Sequence, residues 1–244
     1  MIITVKRVLL TILVMLLLIA ACSKNKTLQT TEQKLDRADT LFSQKKYAKA
    51  ALLYEEVSFE RKSASTARAL LRQAESYFQL NKFIDARLKY SQFTQMFPDH
   101  PEASTAFFKI AVCFYEESLP PQYDQGETEL SINAFKVFID KFPNDERFSN
   151  ALEYIRKAQY KLLEKKFYNG YIHYRMKDYS GALMYLREIS ELGNTDRLDK
   201  LALYYEALIF RHQGLDTDAK ESFVKLQQKY PGARETAKLR KHFK

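Results

Sequence analysis

Apolar residues recur at three- and four-residue spacing along most of the chain, as in Leu70, Leu71, Ala74, Tyr77 and Phe78. That interval puts side chains on one face of an α-helix, and it predicts helices from Glu32 to Pro231. A longer period is superimposed on it. A small residue is followed twelve residues later by Ala, and four after that by an aromatic: Ala38–Ala50–Tyr54, Ala74–Ala86–Tyr90 and Ala207–Ala219–Phe223. Gly170–Ala182–Leu186 repeats the spacing with Leu in place of the ring. In three units a Pro stands eight residues after the aromatic, at Pro98, Pro143 and Pro231. Each unit predicts a pair of helices, A and B. The small residues let the two helices approach, the aromatics fill the space between neighbouring pairs, and the Pro terminates helix B. Asp99 with Pro101 predicts an N-cap and a first-turn Pro for the helix that follows. One pair cannot bury both its faces, so the units are expected to stack into a solenoid.

The third unit departs from the period. Twelve residues after Ala111 stands Tyr123, and the helix B pattern instead aligns Ser131, Phe135, Phe138 and Pro143. Eight extra residues therefore fall in a loop at 119–128, the stretch richest in turn residues. The link to the fourth unit is longer too. Pro98 lies 13 residues before Ala111, but Pro143 lies 27 before Gly170. Fourteen extra residues without a breaker predict one helix from Phe148 to about Lys177, ~40–45 Å long. The expected fold class is all-α. Units one to three (32–147) are joined by the long helix to units four and five (148–244), and the residues after Pro231 form a basic tail or a capping helix.

The first residues follow a different pattern. Lys6 and Arg7 precede an aliphatic run from Val8 to Ile19, too short for a membrane span of about 20 residues. The run ends in Leu18-Ile19-Ala20-Ala21-Cys22, which resembles the lipobox of bacterial lipoproteins. The resemblance implies a signal peptide at 1–21, a lipid on Cys22 and, with Ser23 next, sorting to the outer membrane. Residues 22–31 read as a polar tether that reaches ~30–35 Å.

Composition narrows the chemistry. With only 6 Gly and 6 Pro in 244 residues, neither a turn-rich β-fold nor a Gly-loop nucleotide fold is expected. Cleavage before Cys22 would lower the net charge from +9 to about +7 by removing Lys6 and Arg7. An acidic partner or anionic headgroups account for that charge as well as nucleic acid would, and nucleic acid is not expected. Cys113, among Ile110, Val112 and Phe114, reads as a buried structural thiol. His100, His173, His212 and His242 are scattered without metal-ligand spacing. No catalytic residue, metal or cofactor is expected.

The twelve-residue period resembles the tetratricopeptide repeat. The order of signal, repeats, loop and long helix resembles the BamD family of outer-membrane protein assembly lipoproteins. Its most telling stretches are Cys113-Phe114-Tyr115 through Pro120 to Gln125, Phe138 to Asn144, Leu162 to Lys166 and Lys177 to Ala182. The Pro-x-Tyr-Asp-Gln loop is similar to that of Bacteroidetes-type members. The resemblance implies a subunit on the periplasmic face of the outer membrane. Its C-terminal repeats would hold the periplasmic domains of BamA. Its N-terminal repeats would bind the C-terminal targeting segment of unfolded β-barrel precursors, which ends in an aromatic residue with a free carboxylate.

Counting helix A positions puts Leu35, Phe42, Arg68, Leu71, Glu75, Phe78, Thr105, Phe108, Val112 and Tyr115 on the inner face of the solenoid, with Arg68 and Arg72 as cations for the carboxylate. The alternative for each ring is packing between repeats, and for the basic residues a solvated face. Position alone suggests Arg197, Asp199, Lys200 and Arg211 as exposed candidates for the BamA contact. A different repeat lipoprotein, such as a pilotin for a secretin or pilus system, is the competing reading. It should lack the loop in unit three and the helix extension.

Overall fold

Thr30 opens the first helix. Its side chain accepts from the Gln33 backbone while Gln33 reaches back to the Thr30 N–H, a reciprocal cap. The computed structural model describes residues 30–243. The expected signal peptide, Cys22 and most of the expected tether lie outside that range. Helix begins at Thr31, so the last two positions of the stretch expected as a tether are cap and helix, because Thr30 supplies a cap that the apolar period does not register.

Eleven α-helices and no strand make up the described residues. The first three pairs are α1 (Thr31–Ser43) with α2 (Tyr47–Ser58), α3 (Ala64–Gln79) with α4 (Phe83–Met96), and α5 (Ala103–Glu117) with α6 (Gly126–Lys141). Then come α7 (Phe148–Arg175) with α8 (Tyr179–Ser190), and α9 (Arg197–His212) with α10 (Asp216–Lys229); α11 (Arg234–Arg240) closes the array. Each helix packs on the next in sequence, and α1 also meets α3, α5 meets α7 and α7 meets α9. This is the stacking expected of helix pairs.

The small positions sit where two helices cross. Ala38, Ala50, Ala74, Ala86, Ala182, Ala207 and Ala219 are all fully buried. At Gly170 an added Cβ would lie 3.1 Å from Leu186 Cγ, so even a methyl group is tight there. In the third pair Ser131 takes the place of the second Ala and donates from Oγ to the Ala111 carbonyl at 3.0 Å. Tyr54, Tyr90, Phe135 and Phe138 fill the adjoining space. Burying each such side chain contributes roughly 1.5–3 kcal/mol.

The turns within the pairs are also repeated. Lys46, Lys82, Asp178 and Leu215 each donate from the backbone to the carbonyl five residues earlier. Just before them Lys45, Asn81, Lys177 and Gly214 have φ of 58°, 56°, 62° and 73°. This is the Schellman stop, which wants glycine at the left-handed position, yet only one of the four has it. Helix B stops differently. The residues before Pro98, Pro143 and Pro231 have φ of −133°, −131° and −134°, each with ψ 59°, outside the helical region that a following Pro disfavours. Helix α5, however, is capped by Glu102 and starts at Ala103. Asp99 is not its N-cap and Pro101 is not in its first turn, because two tight turns (His100 N–H to Phe97 O, Ala103 N–H to His100 O) intervene.

The long helix is α7, with 28 residues, or ~42 Å. The loop before α6 is tied to it. Lys161 donates to the Ser118 carbonyl and hydroxyl, and Lys165 donates to the Gln122 carbonyl. The buried Gln125 amide donates to carbonyls of the same loop, the nearest at 2.9 Å on Pro120. At the other end Leu239 is fully buried and Phe243 stacks on Phe223 at 4.8 Å, so the terminal residues form a capping helix.

Relieving the left-handed cost at a turn should stabilise the array. Lys45→Gly is expected to raise stability by about 1 kcal/mol, read as a higher urea midpoint. An unchanged or lower midpoint would contradict this account of the turn.

Candidate functional site

Between α1, α3 and the start of α5 lies a cleft of about 550 Å3. Phe42 and Leu71 form its apolar part, and the Phe42 ring meets Tyr47 edge-on at 5.2 Å. Arg68 and Arg72 both line it but differ in what they touch. Arg68 is paired with Asp39, a carboxylate that also accepts from the Tyr54 hydroxyl. Arg72 has no carboxylate at ion-pair distance among the described residues, and its guanidinium lies 5.0 Å from the Phe42 ring centroid. Such a cation–π contact leaves the donors of the guanidinium available. Glu75 is held as an anion. Burial works against its charge, but hydrogen bonds from Gln79 and Tyr90 and the charges of Lys109 and Arg72 outweigh that and put its pKa below the ordinary carboxylate value. The cleft therefore offers rings, a cation without an ion partner and a fixed acid.

The expected groove residues do not all come together. Phe42, Arg68, Leu71, Arg72, Glu75 and Thr105 do. Leu35 and Val112 belong to the core. Phe78 packs edge-on against Phe83 at 5.4 Å, with the Lys109 ammonium 4.0 Å from its centroid. Phe108 meets Phe135 and Phe138 edge-on. Both rings pack against the B helix of their own pair and reach the next one, Phe78 through Lys109 of α5 and Phe108 through Tyr154 of α7. Tyr115 lines a different concavity, beside the middle of α7. Conversely, Tyr47, Tyr90 and His100 line the N-terminal cleft and were missed. They lie on B helices or turns, which a count of helix A positions passes over.

The C-terminal candidates also divide. Arg197 is exposed and paired with Glu164 of α7. Lys200 lies 3.5 Å from Glu235, and Arg211 is exposed beside the Phe243 ring. Asp199 is not an exposed contact residue: it is 0 % exposed. Its carboxylate accepts from Lys229 Nζ at 3.1 Å on both oxygens and from the Tyr230 hydroxyl at 2.6 Å. One helical step from Lys200 turns it inward, towards the end of α10.

Two models described as tetratricopeptide repeat match, one over residues 35–101 and one over 105–145 and 201–233, together more than half of the chain. An outer membrane protein assembly factor BamD from Caulobacter vibrioides is 23 % identical over 68 % of this chain and 55 % of its own length. A BamD from Rickettsia prowazekii is 25 % identical over 80 % of this chain and 78 % of its own. The chain is a BamD-like tetratricopeptide-repeat protein. It spans about half the length of the Caulobacter relative. Among solved structures, a kinesin light chain with nearly identical TPR-like repeats from Podosopora anserina aligns at TM-score 0.41 and 10 % identity, over 81 % of this chain and 93 % of its own.

The repeat models leave out 146–200, where α7 is lengthened and Leu186 replaces the ring. Among the described residues no group of three or more His, Cys, Asp or Glu is placed to hold a metal ion, and no helix is long and apolar enough to cross a membrane. Cys113 is fully buried, and burial with the nearby Glu117 charge pushes its thiol up to about 12. Such a thiol is not nucleophilic near neutral pH.

Two buried acids in the last repeats make separate demands. Removing the Lys229 ammonium leaves Asp199 buried without its cation. Lys229→Met is expected to destabilise by about 3–5 kcal/mol in urea unfolding, and Asp199→Asn added to it should recover most of that loss. Glu206 sits between α8 and α9 and accepts from Ser190 Oγ at 2.6 Å. Burial raises its pKa above 4.5, and Ser190, Arg187 and Lys225 offset this only in part. The folded chain then holds more protons than the unfolded chain between 4.5 and the raised value, so this group's contribution falls as pH rises through that window. Glu206→Gln should flatten that slope in thermal unfolding across pH 4 to 7 and leave the protein at least as stable at pH 7.

Proposed function

We propose that this protein is the non-catalytic lipoprotein subunit of an outer-membrane β-barrel assembly complex. It is anchored through Cys22 on the periplasmic face of the outer membrane. The N-terminal cleft receives the C-terminal targeting segment of an unfolded barrel precursor. The Phe42 and Tyr47 rings take the terminal aromatic side chain, and Arg72 takes the free carboxylate. The C-terminal repeats hold the periplasmic domains of BamA, with Arg197, Lys200 and Arg211 as the accessible cations there. The observation that carries this reading is Arg72, a cation over an aromatic ring in an open cleft with no carboxylate at ion-pair distance among the described residues, in a chain similar to BamD proteins. The loop in unit three and the lengthened α7 favour it over a pilotin-type scaffold, whose repeats should run on regularly.

A peptide test reads the cleft directly. A labelled decapeptide ending in Phe with a free carboxylate should bind the full chain in fluorescence anisotropy. Amidating its C-terminus, or Arg72→Ala in the protein, should each weaken binding at least tenfold, because a charge-assisted hydrogen bond contributes about 1.5–3 kcal/mol. Equal binding of the free and amidated peptides would overturn the assignment of Arg72. Purification of the lipidated protein in detergent should recover, in near-equal amount, a protein with periplasmic repeat domains and a C-terminal barrel. Recovery of a secretin or pilus component alone would replace this reading with the pilotin one.

A further inference from the structure

A second concavity, of about 870 Å3, lies at the joint between the two halves. It exists because the extra turns of α7 have no helix B beside them. Tyr115 at the end of α5, the loop at Ser118 and Pro121, the middle of α7 and Asn194 after α8 form its walls. The volume is in the range of ligand clefts.

Its chemistry is uneven. Glu153, Lys157, Lys161 and Lys165 stand four residues apart on α7, so they form one row. Like charges at that spacing disfavour a helix unless something compensates them. The loop carbonyls compensate Lys161 and Lys165. Lys157 is matched only by Glu153 of its own helix, and both side chains are half exposed, at 51 % each. Arg156, also exposed, has no ion partner among the described residues. Arg156 thus lines the cleft without an ion pair, and Lys157 beside it shares one half-exposed carboxylate. The Tyr115 and Tyr160 rings lie on the same walls, and Gln159 and Asn194 add two side-chain amides.

We infer that this cleft binds an extended acidic segment of a partner protein that carries an aromatic or aliphatic residue next to its carboxylates. Arg156 and Lys157 meet the carboxylates, and guanidinium binding to carboxylate is strengthened by charge and by paired donors. The tyrosine rings take the apolar side chain. The two amides can each donate to and accept from an extended backbone, as a peptide requires. Glu116 and Glu164 also line the cleft and repel a uniformly charged phosphate chain, whereas a peptide can space its acids away from them. This site is separate from the N-terminal cleft and does not depend on the function proposed for it.

The test uses the full chain and a fluorescein-labelled octapeptide of alternating Asp and Phe with an amidated C-terminus, which gives Arg72 no terminal carboxylate, read by anisotropy, with alternating Lys and Phe, also amidated, as the counterpart. The acidic peptide should bind at least tenfold more tightly, and less tightly as salt rises. Arg156→Glu with Lys157→Glu should weaken it at least tenfold. Both side chains are exposed, so the variant should keep its helical circular dichroism. Arg156→Lys should retain most of the binding, and Arg72→Ala should leave it intact. Equal binding of the two peptides would overturn the inference. So would loss of binding in Arg72→Ala but not in the double variant, or tighter binding of a single-stranded oligonucleotide than of the acidic peptide.

Discussion

Everything in this structure depends on how closely helix A and helix B of a pair can approach. Side chains that stop at Cβ permit it, and a larger group at any crossing would force the pair apart. Ala74 with Ala86 and Ala207 with Ala219 are fully buried at such crossings, and at Gly170 not even a Cβ fits without moving Leu186. Interiors are packed as densely as organic crystals, so a close crossing leaves a defined gap towards the next pair. Tyr54, Tyr90, Phe135 and Phe223 fill that gap. The period of small residues and the period of rings are two consequences of one spacing.

The clefts arise where this regularity is interrupted. In the third pair the stop that ends the other A helices is absent, and a loop takes its place. That loop is held by carbonyl bonds to Lys161 and Lys165. Helix α7 then runs on beyond the length one repeat can cover, and a concavity opens beside it. Near the other end of the described array, Phe42, Leu71 and Arg72 line the open cleft between α1, α3 and the start of α5. Both openings combine rings with cations, which suits extended peptide chains better than small molecules, and both lie on a framework that backbone motifs hold in place.

Charge is placed according to burial. Asp199 tolerates complete burial because Lys229 and Tyr230 meet both of its oxygens. Glu206 has a hydroxyl partner and more distant cations, so its charged form is disfavoured. Arg68 and Arg72 sit four residues apart on one helix, yet among the described residues only Arg68 has an acid at ion-pair distance. Two residues of one type in one stretch thus have different chemistry, decided by which neighbours the fold brings to each.

The sequence by itself determined the all-α class, the pairing, the lengthened α7 and the Pro-terminated B helices. These are local or periodic properties, written in spacings of three, four and twelve residues and in the stiffness of Pro. It placed Ser131 and Phe135 in the third pair despite eight inserted residues, because burial of that face leaves no other alignment. Three left-handed turns escaped it, since Lys45, Asn81 and Lys177 carry no glycine to mark them. The tertiary structure alone decided which residues line the clefts, for a groove is made by separate helices and a count along one of them omits Tyr47 and His100. It alone turned Phe78 and Phe108 into packing, set Arg72 apart from Arg68 and drew Asp199 inward. Each of those outcomes rests on a partner dozens of residues away or on a facing helix, and no local spacing specifies the distance to it.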